Sequence, residues 1–362
     1  MPPEMQFRTI HQIVKAAKMR LNQTSWDYLI GGTETETSLK RNRMAIDSLA
    51  IRPRVLNDVN KVDTSGTILG QTLKMPVLLA PIGSLQVFEA GGGASAAIAA
   101  AEAGIMSIKS SVCEPTLEEV AAASDAPKIF QLYVRGDDDY VDGIIQRVVN
   151  SGYKAFCLTV DSAVISRRER DIAKNVVPTS QSSGHGEFSY QSGLSWSHIR
   201  RIRDKWDIPL ILKGIQCTED AVKAVEYGVD VVYISNHGGR QIDQAEGSIS
   251  ILPEIAAEVG DKAEIIVDGG FYRGTDIVKA IALGANAVGV GRLEGWAMAA
   301  GGAPAVVNCM QILRHEIRLA LALSGVTSFG ELDASYVTQA PPVALPSVFS
   351  AFPLLSQEDE GY

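Results

Sequence analysis

The loop Ser235-Asn236-His237-Gly238-Gly239-Arg240-Gln241 puts an imidazole and a guanidinium three residues apart, directly after the apolar run Val231-Val232-Tyr233-Ile234. An imidazole accepts a proton near neutral pH, and a guanidinium presents a rigid fork of donors that matches a carboxylate. The two together suit a small carboxylic acid held by Arg240 while His237 takes a proton from the neighbouring carbon or hydroxyl.

Other polar residues fall at the ends of apolar runs. Lys213 follows Pro209-Leu210-Ile211-Leu212. A strand-end lysine ordinarily snorkels to water, but an inward ammonium here needs an anionic or polar partner. Asp161 ends Leu158-Thr159-Val160; it either caps the following segment or partners His237, whose pKa it would raise. Asp268-Gly269-Gly270 and Gly291-Arg292 bring glycines and a cation to two successive run ends, a pattern that suits a phosphate on backbone N–H groups and a helix N-terminus. Arg167-Arg168-Glu169-Arg170 reads as a solvated charge run of which one arginine need point inward. No GxGxxG follows a strand, and the histidines lack paired ligand spacing, so neither a dinucleotide fold nor a metal site is expected.

The elements that must position these residues repeat eight times from residue 75 onward: an apolar run, a polar or glycine loop, a helical stretch. The runs are Met75–Ala80, Ile105–Ser110, Lys128–Val134, Ala155–Asp161, Pro209–Gly214, Val231–Asn236, Glu264–Gly269 and Ala287–Arg292. Near-continuous apolar character marks strands buried on both faces, and eight βα units close a TIM (β/α)8 barrel; a doubly wound open sheet is the alternative. In such a barrel chemistry sits at the C-terminal strand ends, where the polar residues fall. The pattern divides a single domain into a helical cap over 1–74, the barrel over 75–332 and a tail over 333–362. Phe7 to Gly31 reads as two short helices, with Ile10, Ile13, Val14 and Ala17 as the first apolar stripe. The long connection from Ile172 to Gly193, after the fourth run, reads as a mobile lid or a disordered linker. The Pro-rich, then acidic tail reads as wrapping a surface or a partner subunit, or as disordered.

Composition narrows the class. The 362 residues are 46% hydrophobic and 21% charged, with a net charge of -9, and they carry no Lys/Arg tract, which argues against nucleic acid or anionic lipid as a partner. No apolar run of bilayer length and no signal-peptide pattern is evident. Four scattered cysteines without CxxC spacing make a reducing cytoplasm the expected compartment.

With these residues in view, the chain resembles the FMN-dependent L-2-hydroxy-acid oxidases and dehydrogenases, from about the first helix to Leu332. The resemblance is carried by the His237 loop, by Leu158-Thr159-Val160-Asp161 with Arg167-Arg168, by Gln131-Leu132-Tyr133, and by Asp268-Gly269-Gly270. It implies that His237 is the base, Asp161 its partner, and Arg240 with Arg168 the grip on the substrate carboxylate. It also places Tyr28 at the carboxylate and Tyr133 at the substrate hydroxyl. Pro81, Ile82, Gly83, Ser110, Gln131, Thr159, Lys213 and Ser235 are implied at the flavin ring, and Asp268, Gly269, Gly270, Arg273, Gly291 and Arg292 along the ribityl chain and phosphate. The implied reaction takes a 2-hydroxy acid to the 2-oxo acid, with oxygen or another acceptor reoxidising the flavin, in a homotetramer or homo-octamer. Val112, Ile165, Phe88 and the long connection are implied at the variable end of the pocket. Departures from the family pattern include Tyr272, where many relatives carry a phosphate-binding arginine, with Arg273 next along. A type 2 isopentenyl diphosphate isomerase, or a barrel that binds flavin or carboxylate without catalysis, is the competing reading; the first would not need two inward arginines beside a histidine, and the second predicts their loss.

Overall fold

A computed structural model describes residues 7–175 and 190–357. Eight parallel strands close a barrel: β1 (Val77–Leu79), β2 (Met106–Ser110), β3 (Lys128–Leu132), β4 (Ala155–Thr159), β5 (Leu210–Ile215), β6 (Val231–Ile234), β7 (Glu264–Val267) and β8 (Ala287–Val290). Each overlaps one of the eight runs read from the sequence, and nearly every strand residue is buried, as expected when helices cover the outer face and side chains fill the interior. The runs overreach because their polar ends leave the ladder and turn toward the barrel mouth.

The opposite end is plugged by a hairpin of residues 66–73 that the sequence pattern does not announce. Its strands, Gly66–Ile68 and Gln71–Leu73, turn through Leu69 and Gly70, both at positive φ. Ile68 and Leu73 pack into the same interior cluster as Leu78, Ile129, Ile211 and Ile266. A leucine is an unusual choice for a left-handed turn position, so the usual Asn-Gly signal is missing.

Ahead of the barrel stand three helices, α1 (Ile10–Arg20), α2 (Gln23–Ile30) and α3 (Thr37–Asp47). Thr9 and Gln12 form a capping box that starts α1, and the Asn22 side chain accepts from the Ser25 N–H to start α2. Ile10, Ile13, Val14 and Ala17 are buried, placing the predicted stripe of α1 against the core. The last large helix, Arg292–Ser324, is long and apolar enough to span a bilayer by composition, which corrects the expectation that no such run exists. It is mostly buried inside the protein and is interrupted at Gly301 and Gly302, where Gly302 takes φ +66°.

The tail wraps its own chain. Val337–Gln339 pairs antiparallel with Leu49–Ile51, and Phe349 stacks on Trp26 with ring centroids 5.9 Å apart. Phe352 is buried against Trp296 and Tyr272. Of the connection from Ile172 to Gly193, the stretch 176–189 lies outside the described residues.

Candidate active site

A cavity opens at the C-terminal strand ends. Among the described residues its lining holds five cations, Arg135, Arg168, Lys213, Arg240 and Arg292, against one carboxylate, Asp268. In an acidic protein that imbalance marks a place built for anions.

The centre of the cavity is an imidazole held between two groups. His237 Nδ1 lies 3.1 and 3.3 Å from the two carboxylate oxygens of Asp161, and Nε2 lies 3.1 Å from the Tyr133 hydroxyl. An ionised carboxylate only accepts, so Nδ1 carries the proton and the Nε2 lone pair faces the cavity. Burial lowers the His237 pKa, Asp161 opposes the fall, and Lys213 and Arg168 add to it, so the net direction is downward. Asp161 therefore pushes as the sequence suggests, but desolvation wins and the ring rests neutral. Burial works against the Asp161 carboxylate too, yet His237, Lys213 and Ser162 outweigh it and hold the carboxyl below its ordinary range. Burial, seconded by Asp161, raises the Tyr133 phenol, which keeps it a hydrogen-bond donor.

Backbone geometry sets this pair. His237, Gly238 and Gly239 occupy the left-handed region at φ +57°, +64° and +75°, an uncommon state for histidine, fastened by its own N–H to Ser235 Oγ at 3.0 Å. A Cβ on Gly239 would stand 2.4 Å from the Leu39 backbone nitrogen, so the loop requires glycine to lie on α3. Gly214 at φ +114° forms the β5 irregularity over which Asp161 sits, and a Cβ there would stand 2.6 Å from Asp161 Cβ.

Two guanidiniums stand beside the imidazole. Arg240 donates from one nitrogen to the carbonyls of Tyr28 and Gly31, each at 2.8 Å, and lies over the Tyr28 ring at 5.0 Å. Burial, with Arg168 second, pulls the Arg240 pKa down, the signature of two like charges sharing a desolvated space. Arg168 lines the same cavity with its Nε buried and unbonded, whereas Arg167 pairs outward with Glu169 and Arg170 with Glu36 and Asp27. One arginine of the run does point inward. Tyr28 closes the group by donating to the Gly83 carbonyl at 2.9 Å.

Deeper in, Lys213 Nζ donates to Ser235 Oγ at 3.0 Å and lies 3.6 Å from Asp268, while Ser235 Oγ donates to Asp268 at 2.6 Å. The inward ammonium thus has its anion, and Asp268 and Asp161 outweigh burial to raise its pKa. Ser110, Gln131 and Thr159 sit on the neighbouring strands β2 to β4, fully buried and outside the cavity lining. Gln131 Nε2 donates to Thr159 Oγ1 at 2.8 Å and leaves its own Oε1 without a partner. Pro81, Ile82 and Gly83 line the wall beside Lys213, and Gly269, Gly270, Gly291 and Arg292 line the far end.

Arg273 departs from its expected place on the phosphate. It pairs with Glu316 at 2.6 Å, starts the Gly274–Ala282 helix and does not line the cavity. The helix packing at Gly274, where a Cβ would stand 2.5 Å from the Glu316 backbone, commits its neighbour to that outer contact. Phe88, Val112 and Ile165 line the cavity as expected. Sequence reasoning missed Asn42, buried on α3, whose side chain exchanges two hydrogen bonds with Asn236 at 2.8 and 2.9 Å. It also missed Gln241, which bonds Ser162, itself bonded to Asp161. Asn42 sits far from the barrel in sequence, and only its polarity on an inward helix face could have revealed it.

Known proteins resemble this chain in sequence and fold. The model of the family described as FMN-dependent dehydrogenase matches residues 17–339. L-lactate oxidase of Nostoc sp. is 37% identical over 347 residues, covering 89% of this chain and 95% of that protein. Glycolate oxidase 1 of Oryza sativa subsp. indica is 36% identical over 352 residues, covering 91% and 95%. A crystal structure of mandelate oxidase with (S)-2-phenylpropionate superposes with a TM-score of 0.86 at 34% identity, covering 93% of this chain and all (100%) of that one.

The residues fit FMN on their own chemistry. A phosphate needs convergent donors, and the far end offers backbone at Gly269, Gly270 and Gly291, the buried Arg292 with a free Nε, and the start of a long helix. The ring needs polar partners along one edge, and Lys213, which lines the cavity, supplies a charged donor there.

Proposed function

The chain belongs to the family of FMN-dependent 2-hydroxy-acid oxidases and dehydrogenases and carries out FMN-dependent oxidation of 2-hydroxy acids; within that chemistry we propose that its substrate is an L-2-hydroxy acid with an apolar side chain, oxidised to the 2-oxo acid at the His237 centre. The observation that carries this reading is the gathering of Arg168 and Arg240, both half-buried and short of anionic partners, in one cavity with a carboxylate-held histidine whose Nε2 meets the Tyr133 hydroxyl.

FMN, when bound, accepts the two electrons that leave the substrate Cα–H. The protein does the rest. Arg168 and Arg240 hold the carboxylate, which relieves their mutual repulsion and fixes the orientation of Cα. Tyr28 borders the same carboxylate, and Tyr133 borders the substrate hydroxyl. His237 Nε2 takes a proton released in the oxidation, and Asp161 stabilises the imidazolium that results. Lys213 presents a permanent positive charge on the flavin side of the cavity, which favours the electron-rich state of the cofactor.

The side-chain end of the cavity is lined by Phe88, Val112, Val134, Val164 and Ile165. Such a wall favours aliphatic or aryl groups over a second charge, although Arg135 lies at its edge. The test is an anaerobic titration of the purified holoprotein with both enantiomers of aliphatic and aromatic 2-hydroxy acids, and with glycolate, following flavin absorbance. Bleaching by one enantiomer of an apolar member supports the reading, and bleaching by glycolate alone, or by neither enantiomer, overturns it. Readmitted air then distinguishes oxygen from another acceptor by the speed of recolouring. A homotetramer or homo-octamer belongs to the same proposal, supported by exposed Val55, Leu56, Leu319 and Leu323 around the joint where Arg54 and Asn57 bond the end of the Arg292–Ser324 helix.

A further inference from the structure

The far end of the cavity is short of charge. Of the described cations near it, Arg43 is spent on Asp276, Asp47 and the Gly270 carbonyl, Arg273 on Glu316, and Lys279 on the Ile46 carbonyl. Arg292 alone lines the space, and two of its nitrogens already donate to the Gly238 and Gly31 carbonyls at 2.9 and 2.8 Å.

Beside it stands Tyr272, directly after Gly269-Gly270-Phe271. Its ring is clamped between Trp296 and Phe352, at 5.2 and 5.5 Å between centroids, and its backbone N–H is fixed to Asp276 at 2.9 Å. The residue is 2% exposed, lines the cavity, and leaves its hydroxyl proton without an acceptor. Arg292, which interacts with the Tyr272 side chain, cannot supply one, since a guanidinium only donates. A buried hydroxyl proton left without an acceptor costs free energy, and Tyr272 lines the same cavity end as Gly269, Gly270, Gly291 and Arg292, where an anion would supply one. Burial, the leading influence, raises the phenol pKa against the pull of Arg292 and Arg43, so the group stays a donor.

We propose that the Tyr272 hydroxyl is a ligand of the FMN phosphate, a neutral donor working beside the single cation Arg292. The proposal rests on FMN being the cofactor. Its consequence is discrimination: Tyr272 recognises FMN and contributes nothing to riboflavin, which lacks the phosphate.

The test compares the wild type with Tyr272→Phe, which keeps the ring packing and removes only the hydroxyl. FMN and riboflavin are titrated separately into deflavinated protein, following quenching of flavin fluorescence. The expected result is FMN binding weakened on the order of tenfold or more, the scale of a hydrogen bond to a charged group, with riboflavin binding unchanged. Equal weakening of both flavins identifies a packing role and overturns the proposal, as does FMN binding that does not change. Binding of neither flavin by the wild type would refute the cofactor assignment itself, a failure distinct from indifference at Tyr272. A second measurement needs no deflavination: the phosphorus resonance of FMN in the two holoproteins, which should shift on loss of the hydroxyl and would overturn the proposal by coinciding.

Discussion

His237 is poised by competing forces, and the competition gives a pH dependence with a definite sign. Burial lowers its pKa below the ordinary 6.5 while Asp161 raises it. The base works only when neutral, so kcat/KM should climb as pH rises through a midpoint below 6.5 and then level off. Asp161→Asn should move that midpoint lower still and cut the rate, because the ring loses both its charge partner and its orientation. His237→Gln should reduce turnover by about 10²–10⁴-fold, the usual share of a general base, with FMN retained, since His237 bonds Asp161 and Tyr133 and not the phosphate end. Flavin loss on that change would contradict the assignment. Arg240→Lys should raise KM about tenfold or more, because a point charge cannot span both Tyr28 and Gly31 carbonyls and still present a fork; unchanged saturation kinetics would count against it. At this scale the sequence was informative where residue type dictates chemistry. The imidazole, the inward arginine and the strand-end carboxylate could be named from spacing and resemblance. Arg273 could not, because two adjacent side chains of which one turns inward and one outward are told apart only by the helix they start.

Glycines translate that chemistry into elements. Gly214 bends the end of β5 at φ +114° so that Asp161 can lie across it. Gly214→Ala should cost about 1–3 kcal/mol through a backbone state that alanine resists, and displace Asp161, lowering kcat and Tm together. Gly143 provides the control. It lies in the Asp138–Asn150 helix, where an added Cβ would meet nothing within 4 Å, so Gly143→Ala should stabilise by about 0.5–1 kcal/mol and leave kcat untouched. Kinetics and a thermal melt of both variants decide the matter, and equal behaviour of the two would refute the bend as a positioning device. The eight barrel strands were legible because burial on both faces writes an uninterrupted apolar run. The plug hairpin was not, since three-residue strands carry too little pattern and Leu69 disguises the turn. The site role of α3 was hidden for a different reason: Asn42 reaches Asn236 across 194 positions, a pairing that local periodicity cannot express.

The whole molecule is stitched together at its binding site. Arg240 ties the β6 loop to the Tyr28 and Gly31 carbonyls, and Arg292 ties the start of its helix to Gly31 and Gly238. The helical cap and the barrel are thus joined through the guanidiniums that also face the anions. A net charge of -9 gave no hint of this local excess of cations, because a total charge does not reveal where opposite charges gather. Arg168, Arg240 and Arg292 line one cavity, and burial together with the charges of Arg168 and Arg292 pulls the Arg240 pKa down. Ligands that bind only the folded state stabilise it by mass action, about 2.7 kcal/mol at a hundredfold excess over Kd. Free FMN should therefore raise Tm with the logarithm of its concentration, and the 2-oxo acid product should raise it again by filling the Arg168 and Arg240 pair. Riboflavin should deliver less than FMN at matched excess over the FMN Kd, because it leaves Arg292 uncompensated. Melts recorded across an FMN series, with and without 2-oxo acid, check both steps. A Tm indifferent to FMN would mean that the cations at the mouth are already neutralised by the protein, and the account of the cavity as an anion site would fail with it.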